Sequence, residues 1–533
     1  MAKKFSALAA AGGVMVAVAI SVPVWAQKQG GILRQYMIDS PASMSIHEEA
    51  TPVATRPVMA VFNNLVMFDE RVPQNSLASI IPDLATGWSW NEDGTELTFP
   101  LRQGVTWHDG KLFTAKDVKC TWDLVAGKTS EKLRINPRKP WYRNLEDVIT
   151  NGDFEVTFRL KRQQPAFIAV LASALSPVYP CHVSPRDMRT RPIGTGPFKF
   201  VDFKPNEYIR VTRNRDYWKP DRPYLDAIEY TITKNRSTAI LAFAAGKYDL
   251  TFAGTVTIPL MRDVKSQVPD AVCELPQGGS VSVNLIINRD VPPFDNPDLH
   301  RAMALSLDRK AFIDILSEGQ GTVGGVLQPP PAGSWGMPRD VLETLPGYGP
   351  DVPKNRAEAR QIMQQLGYGP GKRLNIKVSS RDIPPYRDPA VILIDQLKEV
   401  YIDGELETFD TTNWFPKIMR RDFTVGLNLT PAFVDDPDPT FYANYVCGAE
   451  ANFNNYCNPE VDKLVDQQSA EADIRKRKNL VWEIERKLAE DGAQPVIFYG
   501  RGATCRQPYV KGVTLAANSI FNGWRMEDVW LDN

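Results

Sequence analysis

The chain has 533 residues, too many for one hydrophobic core, so two or more lobes are expected. Hydrophobic residues make up 43% and charged residues 23%, which is typical of a soluble globular protein. The net charge is −1, from 62 basic and 63 acidic side chains, and it argues against nucleic acid or an anionic membrane as the main partner.

The first residues have the pattern of a secretory signal peptide. Lys3 and Lys4 precede an apolar run over 8–22, and a Val-Trp-Ala string that ends at Ala26 fits the small-residue cleavage rule. A retained membrane anchor is the alternative, but the apolar run is short for a membrane span and is followed by Pro23. We therefore expect cleavage after Ala26 and an exported mature protein.

The segment 85–118 predicts a β-hairpin followed by the start of a helix. An Asp-Gly pair is typical of a tight turn, and the alternating apolar residues after it predict a half-buried strand. A threonine followed three residues later by an aspartate then predicts a helix start with a capping box. The residues are Asp93 and Gly94 in the turn, Leu97, Phe99 and Leu101 in the strand, and Thr114 and Asp117 at the helix start.

Further strand, turn and helix signals continue toward the middle of the chain. Alternating apolar residues predict a strand over 156–160, and the Gly-Thr-Gly-Pro-Phe string at 194–198 predicts a rigid turn. An Asn-Pro pair at 296–297 predicts a helix start, and an aspartate predicts the cap of a second helix over 308–319.

The region 353–410 predicts a βαβ unit and therefore a parallel sheet. Its predicted elements are a helix capped by Asn355 and ending at Gly367, a strand over 374–378, an apolar helix over 391–400 and a strand at Leu406. Two long helices are predicted after it, at about 459–468 and 472–490.

Several of these strings, in this order, resemble landmarks of one protein family. The family is that of the family 5 solute-binding proteins of ABC importers, which are the dipeptide, oligopeptide and nickel receptors. The strings that resemble it are 85–118, the turn at 194–198, Asn-Arg-Asp-Tyr-Trp at 214–218 and Pro-Tyr-Leu-Asp at 223–226. The resemblance implies an α/β fold of the two-lobed periplasmic-binding type (type II), with an extra subdomain in lobe one and a hinged ligand cleft. The implied segments are a signal peptide at 1–26, lobe one at 27–283 with the extra subdomain at about 68–190, lobe two at 284–498, and a return to lobe one at 499–533.

The same resemblance implies a periplasmic substrate-binding component of an ABC transporter, which captures peptides and delivers them to a membrane permease. It implies a monomer that needs no cofactor and has no enzymatic activity. Two alternatives stay open. One is the same role for a non-peptide solute, such as an opine, an aromatic acid or a metal chelate. The other is an exported hydrolase that uses paired carboxylates such as Asp435 and Asp438.

The resemblance also implies ligand contacts in the second lobe. In peptide-binding members, an aspartate in an Asp-x-x-Asp/Glu-Pro string pairs with the α-ammonium of the ligand, and that role falls on Asp435. Trp414 and Tyr386 match aromatic residues that line the cleft. The alternatives are a solvated turn for the acidic string and core packing for Trp414.

The contact to the peptide carboxylate is less directly implied. Dipeptide receptors carry an arginine two residues before the position of Tyr386, and this chain has Pro384 there. Arg381 and Arg387 are the candidates to replace it, although a bidentate guanidinium contact depends on placement. His47, in the polar loop after the first predicted strand, is a further candidate ligand residue.

Six cysteines, an even number, agree with export. The predicted disulfides, in decreasing order of support, are Cys447 with Cys457, Cys273 with Cys505, and Cys120 with Cys181. The alternative is that some of them are reduced and buried. The four histidines lie at unrelated spacings, so no metal site is predicted, and the Gly-x-Gly-x-x-Gly string at 319–324 follows a predicted helix and does not fit a dinucleotide site.

Overall fold

The computed structural model describes residues 27–49 and 51–532, and the predicted signal peptide lies outside that range. Across the described residues, no helix is both long enough and apolar enough to cross a membrane. The strands are β1 Ile32–Met37, β2 Val66–Phe68, β3 Ile80–Pro82, β4 Ser89–Trp90, β5 Glu96–Pro100, β6 Leu145–Thr150, β7 Glu155–Leu160, β8 Phe198–Lys204, β9 Tyr208–Arg213, β10 Ala227–Ile232, β11 Val272–Glu274, β12 Val281–Ile287, β13 Leu374–Arg381, β14 Ile402–Phe409, β15 Val425–Pro431, β16 Val496–Gly500, β17 Thr504–Arg506, β18 Val510–Lys511 and β19 Trp530–Leu531.

The helices lie between these strands, several of them in succession. They are α1 Pro52–Met59, α2 Ala115–Ala126, α3 Phe167–Ala172, α4 Pro185–Met188, α5 Arg236–Ala244, α6 Ile258–Gln267, α7 Pro297–Leu305, α8 Arg309–Ser317, α9 Arg339–Leu342, α10 Val352–Gln365, α11 Pro384–Lys398, α12 Thr411–Met419, α13 Pro437–Asn444, α14 Pro459–Ala470 and α15 Ile474–Glu490. Short 3-10 turns lie at Ile46–Glu48, Leu77–Ser79 and Lys139–Tyr142.

Lobe one is organised around a four-stranded sheet in the order β1-β10-β9-β8. β1 runs parallel to β10, and the other neighbours are antiparallel. Apolar residues on these strands, such as Leu33, Ile209 and Ile228, are buried in one extensive hydrophobic core. The same core takes in side chains from 97–172 and 510–531, so segments far apart in sequence form one lobe.

The predicted hairpin is confirmed as part of a second sheet in lobe one, in the order β4-β5-β7-β6 with antiparallel neighbours. β5 buries Leu97 and Phe99, and the Phe99 ring lies edge-on to Phe158 of β7, with 5.7 Å between the ring centroids. The capping box also forms, because Thr114 N donates to the Asp117 carboxylate at 2.9 Å. Local signals therefore specify this region correctly.

Lobe two is built on a five-stranded sheet in the order β14-β13-β15-β12-β16. β13 is parallel to β14 and β15, whereas β12 is antiparallel to β15 and β16. α11 connects β13 to β14 and packs on both, so the predicted βαβ unit is confirmed. Leu285, Val378, Leu393 and Val425 are buried in a core separate from that of lobe one. The protein is thus a two-lobed α/β molecule, as predicted, while the residue boundaries of its lobes stay a prediction.

Two helices of lobe two begin earlier than predicted. The helix assigned to a cap at Asn355 begins one turn before it, because the Asp351 side chain accepts a hydrogen bond from Lys354 N at 3.1 Å and is the cap. The helix predicted at 391–400 begins at Pro384. Proline is tolerated in the first turn because the N–H groups there have no partner within the helix.

All three predicted disulfides are present. The bonded pairs are Cys120–Cys181, Cys273–Cys505 and Cys447–Cys457. The second pair joins β11 to β17, where the two cysteines lie opposite each other in an antiparallel register.

Candidate functional site

A cavity of about 310 Å³ lies between the two lobes. Lobe one contributes the start of α1 and the segment 252–257, and lobe two contributes the start of α11 and the end of β15. Ligand-binding pockets typically enclose about 300–1,000 Å³. The cavity therefore lies at the small end of that range.

Glycines form one side of this cavity, where the two connections between the lobes pass each other. A Cβ atom built on Gly279 would lie 2.0 Å from the carbonyl oxygen of Gly500, and one built on Gly502 would lie 2.1 Å from that of Gly254. Both distances are far below van der Waals contact, so only glycine lets the backbones approach this closely. Any side chain here would push the connections apart and change the shape of the cavity.

The wall of the cavity is mostly apolar. Proline rings at Pro384 and Pro385 contribute to it, together with aliphatic side chains such as Ile38 and Leu429. Its aromatic members are Phe252, Tyr386, Phe415, Phe433, Phe453 and Phe498. Aromatic surfaces of this kind bury organic ligands with little loss of side-chain entropy.

Arg381, one of the predicted ligand residues, lines the cavity but is firmly held by the protein. Its side chain is 2% exposed, and its Nη2 lies 3.2 Å from an Asp39 oxygen while its Nε donates to Thr411 Oγ1 at 2.7 Å. Asp39 belongs to lobe one, so this buried ion pair joins the two lobes beside the cavity. The charge of Arg381 is therefore already compensated.

Arg236, at the start of α5, is held much more loosely. A quarter of its side chain is exposed (25%), and its nearest acid is Asp388, with 4.0 Å between nitrogen and oxygen. Burial away from water lowers the pKa of Arg236. Asp388 also lies 3.6 Å from Arg387, and Arg501 donates to the Pro276 carbonyl. Among the described residues that line the cavity, the charged side chains are three arginines and one aspartate.

Tyr386, another predicted ligand residue, also lines the cavity, but Trp414 lies behind it. Their rings meet edge to face with 6.3 Å between centroids, and Trp414 is fully buried in a hydrophobic cluster with Ile418. This is the core-packing alternative considered for Trp414. Its role as a ligand residue stays a prediction that this position does not support.

The structure places Asp435 outside the residues that line the cavity. Its carboxylate accepts hydrogen bonds from Ser334 N at 3.0 Å and from Ser334 Oγ at 2.6 Å, and its carbonyl accepts one from Trp335 Nε1 at 3.0 Å. Burial raises the pKa of this carboxyl group. The predicted pairing of Asp435 with a ligand ammonium stays a prediction.

Arg387 and His47 are also outside the residues that line the cavity. The Arg387 guanidinium is exposed and lies 3.3 Å from Asp382. The His47 ring is buried, and its Nε2 lies 2.9 Å from the Pro177 carbonyl oxygen. Burial lowers the pKa of His47 to about 3, so the ring is neutral at physiological pH. Of the six predicted ligand residues, the structure brings Arg381 and Tyr386 together at the cavity.

Sequence reasoning missed Arg236 and the two phenylalanines Phe252 and Phe433. Asn235 gives a local signal, because its side chain accepts a hydrogen bond from Thr238 N at 2.9 Å and so fixes Arg236 as the first residue of α5. No sequence pattern indicates that this helix start faces the opposite lobe.

Comparison with known proteins agrees with this architecture. The family model for bacterial extracellular solute-binding proteins, family 5 (middle), matches residues 79–452. The chain is 25% identical to di/tripeptide-binding protein 1 of Pseudomonas aeruginosa over 458 residues, 81% of each chain. It is 26% identical to oligopeptide-binding protein AppA of Bacillus subtilis over 505 residues, 89% of this chain and 87% of that protein.

A solved structure shows the same fold. The periplasmic binding protein DppA from Helicobacter pylori, in complex with the peptide STSA, superposes with a TM-score of 0.82 and 20% identity, covering 95% of this chain and 99% of that one. Because the family model matches most of the sequence, the chain belongs to family 5 of the bacterial extracellular solute-binding proteins.

Proposed function

We propose that this protein is the substrate-binding component of an ABC importer, and that it captures a short peptide and hands it unchanged to a membrane permease. The observation that carries this proposal is the cavity between the two lobes of a family 5 chain. A relative named for di- and tripeptide binding supports peptides as the ligand class.

The cavity favours a short ligand. Its volume of about 310 Å³ is suited to a molecule of dipeptide or tripeptide size. A long peptide would extend into the contacts between the lobes, such as the buried pair of Arg381 and Asp39. We therefore expect affinity to fall once the peptide exceeds three residues.

Ligand binding favours the arrangement in which both lobes meet. Lobe one supplies Phe252 to the wall, and lobe two supplies Phe415 and Phe433. A ligand contacts all three rings only when the lobes are together, and it shifts the equilibrium toward the state that it binds better. The permease is expected to recognise that ligand-bound state.

The site of action is expected to be the periplasm. The signal peptide is removed from the exported protein, so intact-mass measurement of protein recovered from the periplasm should show a chain that begins after Ala26. Light scattering should show a monomer.

The proposal is tested by thermal unfolding of the mature protein with pools of di- and tripeptides. A ligand that binds only the folded protein stabilises it by about 2.7 kcal/mol at 100 times its Kd, so the melting temperature should rise measurably. Ala253→Trp, which places a large ring in the cavity wall, should abolish the rise. Val201→Trp, at an exposed position of β8, is the matched control and should preserve it.

A non-peptide solute is the second candidate, and one observation favours it. Pro384 lies in the cavity wall at the position where dipeptide receptors carry an arginine, so this position offers no guanidinium to a peptide carboxylate. If aromatic acids or opines raise the melting temperature and no peptide does, the peptide assignment is wrong while the transport role stands.

A hydrolase is not supported by the surroundings of its candidate carboxylates. Asp435 is bound by Ser334, and Asp438 accepts hydrogen bonds from Gln164 at 2.7 Å and Ser469 at 2.8 Å. Mass spectrometry of peptides incubated with the protein should recover them intact. Accumulation of cleavage products that is lost in Asp435→Asn would contradict the proposal.

A further inference from the structure

The charges around the cavity specify the ligand more closely than the fold does. Arg381 is neutralised by Asp39, which also lies 3.3 Å from Lys234. Asp388 is the one acid among the described residues of the wall, and it lies between Arg236 and Arg387. Each of these carboxylates thus lies close to two cations, so the charge around it is net positive and a ligand ammonium would be repelled there.

Arg236 is in the opposite situation. Among the described residues, its guanidinium forms no hydrogen bond, and its one ion pair, with Asp388, is at 4.0 Å. A guanidinium presents parallel N–H donors that match the two oxygens of a carboxylate. Because Arg236 is three-quarters buried in an apolar wall, a ligand carboxylate would supply the hydrogen-bond acceptors that the described residues do not.

A second arginine strengthens the positive field from behind the wall. Arg56 is 2% exposed and is stacked between Phe252, which lines the cavity, and Trp524, with 4.6 Å and 3.7 Å from its guanidinium carbon to the ring centroids. Its Nη2 donates to the Ile520 carbonyl at 3.0 Å, while its Nε and Nη1 have no partner among the described residues. A buried charge without an acid nearby favours an anion in the adjoining space.

Arg56 also lines a side chamber of about 60 Å³. This chamber shares Ala253, Pro276 and Ile520 with the main cavity, so the two spaces adjoin. The positive field of Arg56 therefore acts on the space where a ligand would lie.

We propose that the ligand carries a carboxylate bound by Arg236, an apolar body, and no free ammonium group. This inference rests on the proposed function and narrows it: the preferred peptide is blocked at its amino end and free at its carboxyl end. An unblocked peptide would bring an ammonium into an apolar cavity whose wall carries three arginines and one aspartate, and in that net positive field the loss of its hydration would not be compensated.

The test uses one pool of apolar dipeptides, built from Ala, Val, Leu and Phe, in four forms: free, N-acetylated, C-amidated, and blocked at both ends. Affinities are measured by calorimetry on the full mature protein. We expect the N-acetylated acids to bind at least 10-fold more tightly than the free dipeptides. Amidation of the carboxyl end should weaken binding by about 10- to 100-fold, the range of one charge-assisted contact. Free dipeptides that bind as tightly as acetylated ones, or amides that bind as tightly as acids, would overturn the inference.

Failure of the proposed function gives a different result. If no dipeptide form binds, peptide capture is wrong, and the inference is then decided by aromatic carboxylates such as N-benzoylglycine and 4-phenylbutyrate beside their amides. Binding of the acids alone supports the carboxylate contact, and binding of neither overturns it.

Substitution at Arg236 assigns the contact. Arg236→Gln should weaken acid binding by about 10- to 100-fold and leave binding of the doubly blocked amides unchanged. Arg236→Lys should recover part of the loss. Arg210→Gln, at an exposed position of β9, is the matched control and should bind like the parent protein. Equal acid affinity in Arg236→Gln and the parent would overturn the assignment.

Discussion

Charged side chains of the acidic loop at 434–439 are hydrogen-bonded within the protein, whereas Arg236 in the cavity wall has no such partner among the described residues. In the loop, Asp436 receives two hydrogen bonds of 2.8 Å from Arg477 and also caps α13. At the wall, Arg236 forms no hydrogen bond with the described residues and has its nearest acid 4.0 Å away. In this dense run of acids, Asp436 and Asp438 thus belong to a structural cluster, whereas a single arginine at a helix start is the candidate ligand contact.

The acidic loop also shows that a deeply buried carboxylate is surrounded by several hydrogen-bond donors. Asp438 is 1% exposed and accepts hydrogen bonds from Gln468, Ser469, Arg477 and, across the interface from lobe one, Gln164. An unsatisfied carboxylate at this depth would be strongly destabilising. Arg236, whose side chain is 25% exposed, is less deeply buried and can keep contact with water, so it remains in the fold without such partners.

The largest expected effect comes from breaking the satisfied cluster. Asp438→Ala would leave the Arg477 guanidinium and the Gln164 amide without their acceptor, and should lower the free energy of unfolding by about 3–5 kcal/mol. Urea denaturation measures it. Asp216→Ala removes an acid whose side chain is 75% exposed, and should change stability by less than about 0.5 kcal/mol. Equal effects of the two substitutions would show that the hydrogen bonds of Asp438 do not stabilise the fold.

Because His47 is buried in its neutral form, it should make the free energy of unfolding depend on pH. The folded protein holds the pKa of His47 at about 3, below its ordinary value of 6.5, so the unfolded chain binds more protons between those values. Stability contributed by this histidine is therefore present above pH 6.5 and is lost as the pH falls toward 3. His47→Gln should reduce the slope of unfolding free energy between pH 6 and 4 by about 1.4 kcal/mol per pH unit.

The same measurement at pH 8 is the control for His47, because the ring is neutral there in both the folded and the unfolded chain. Near pH 8, the difference in the free energy of unfolding between the parent and His47→Gln should not change with pH. An unchanged slope between pH 6 and 4 would show that His47 is not buried as described.

Substitution of Asp435 distinguishes a structural role of this residue from a ligand-binding role, and its expected effect on stability is smaller. If this residue is structural, Asp435→Asn keeps one acceptor for Ser334 and should cost about 1 kcal/mol of stability, with peptide affinity unchanged. If it pairs with a ligand ammonium, affinity for free peptides should fall by 10-fold or more. Calorimetry with free and N-acetylated peptides distinguishes the two, because only the free forms carry the ammonium.

The smallest expected effect on stability is at Arg236. Because its guanidinium forms no hydrogen bond with the described residues, Arg236→Gln should change the free energy of unfolding by less than about 0.5 kcal/mol. Arg477→Gln, the matched change in the satisfied cluster, should cost about 3 kcal/mol. A large loss of stability in Arg236→Gln would mean that this arginine supports the fold and is not reserved for a ligand.

Local sequence signals predict much of the fold. The hairpin with Leu97 and Phe99, the capping box of Thr114 and Asp117, and the βαβ unit of lobe two are each encoded in one short continuous segment, the longest being the 36 residues of the βαβ unit. The start of the helix that was predicted at Asn355 is also set locally. Asp351, four positions earlier, is a capping residue as well, and the helix begins after it. Only one disulfide has a local signal of this kind: Cys447 and Cys457 bracket a short loop, whereas Cys273 and Cys505 are 232 residues apart and meet only in the folded chain.

The cavity could not be predicted in the same way. Its wall combines Phe252, Arg236 and Phe433, which come from different lobes and meet only after both have folded. Periodicity distinguishes a buried side chain from an exposed one, but it does not tell a core from a cleft. Trp414 illustrates this limit, because it lies one layer behind the wall that Tyr386 forms.

The buried pair of Arg381 and Asp39 has a consequence for release of the cargo. In the proposed transport role the lobes must separate to release the ligand, and both ions would then leave the apolar interface and be solvated by water. That solvation offsets most of the Coulomb attraction that is lost, so the pair fixes the register of the lobes without locking them. At this contact, a permease acting in the proposed role would therefore need only modest work to separate the lobes.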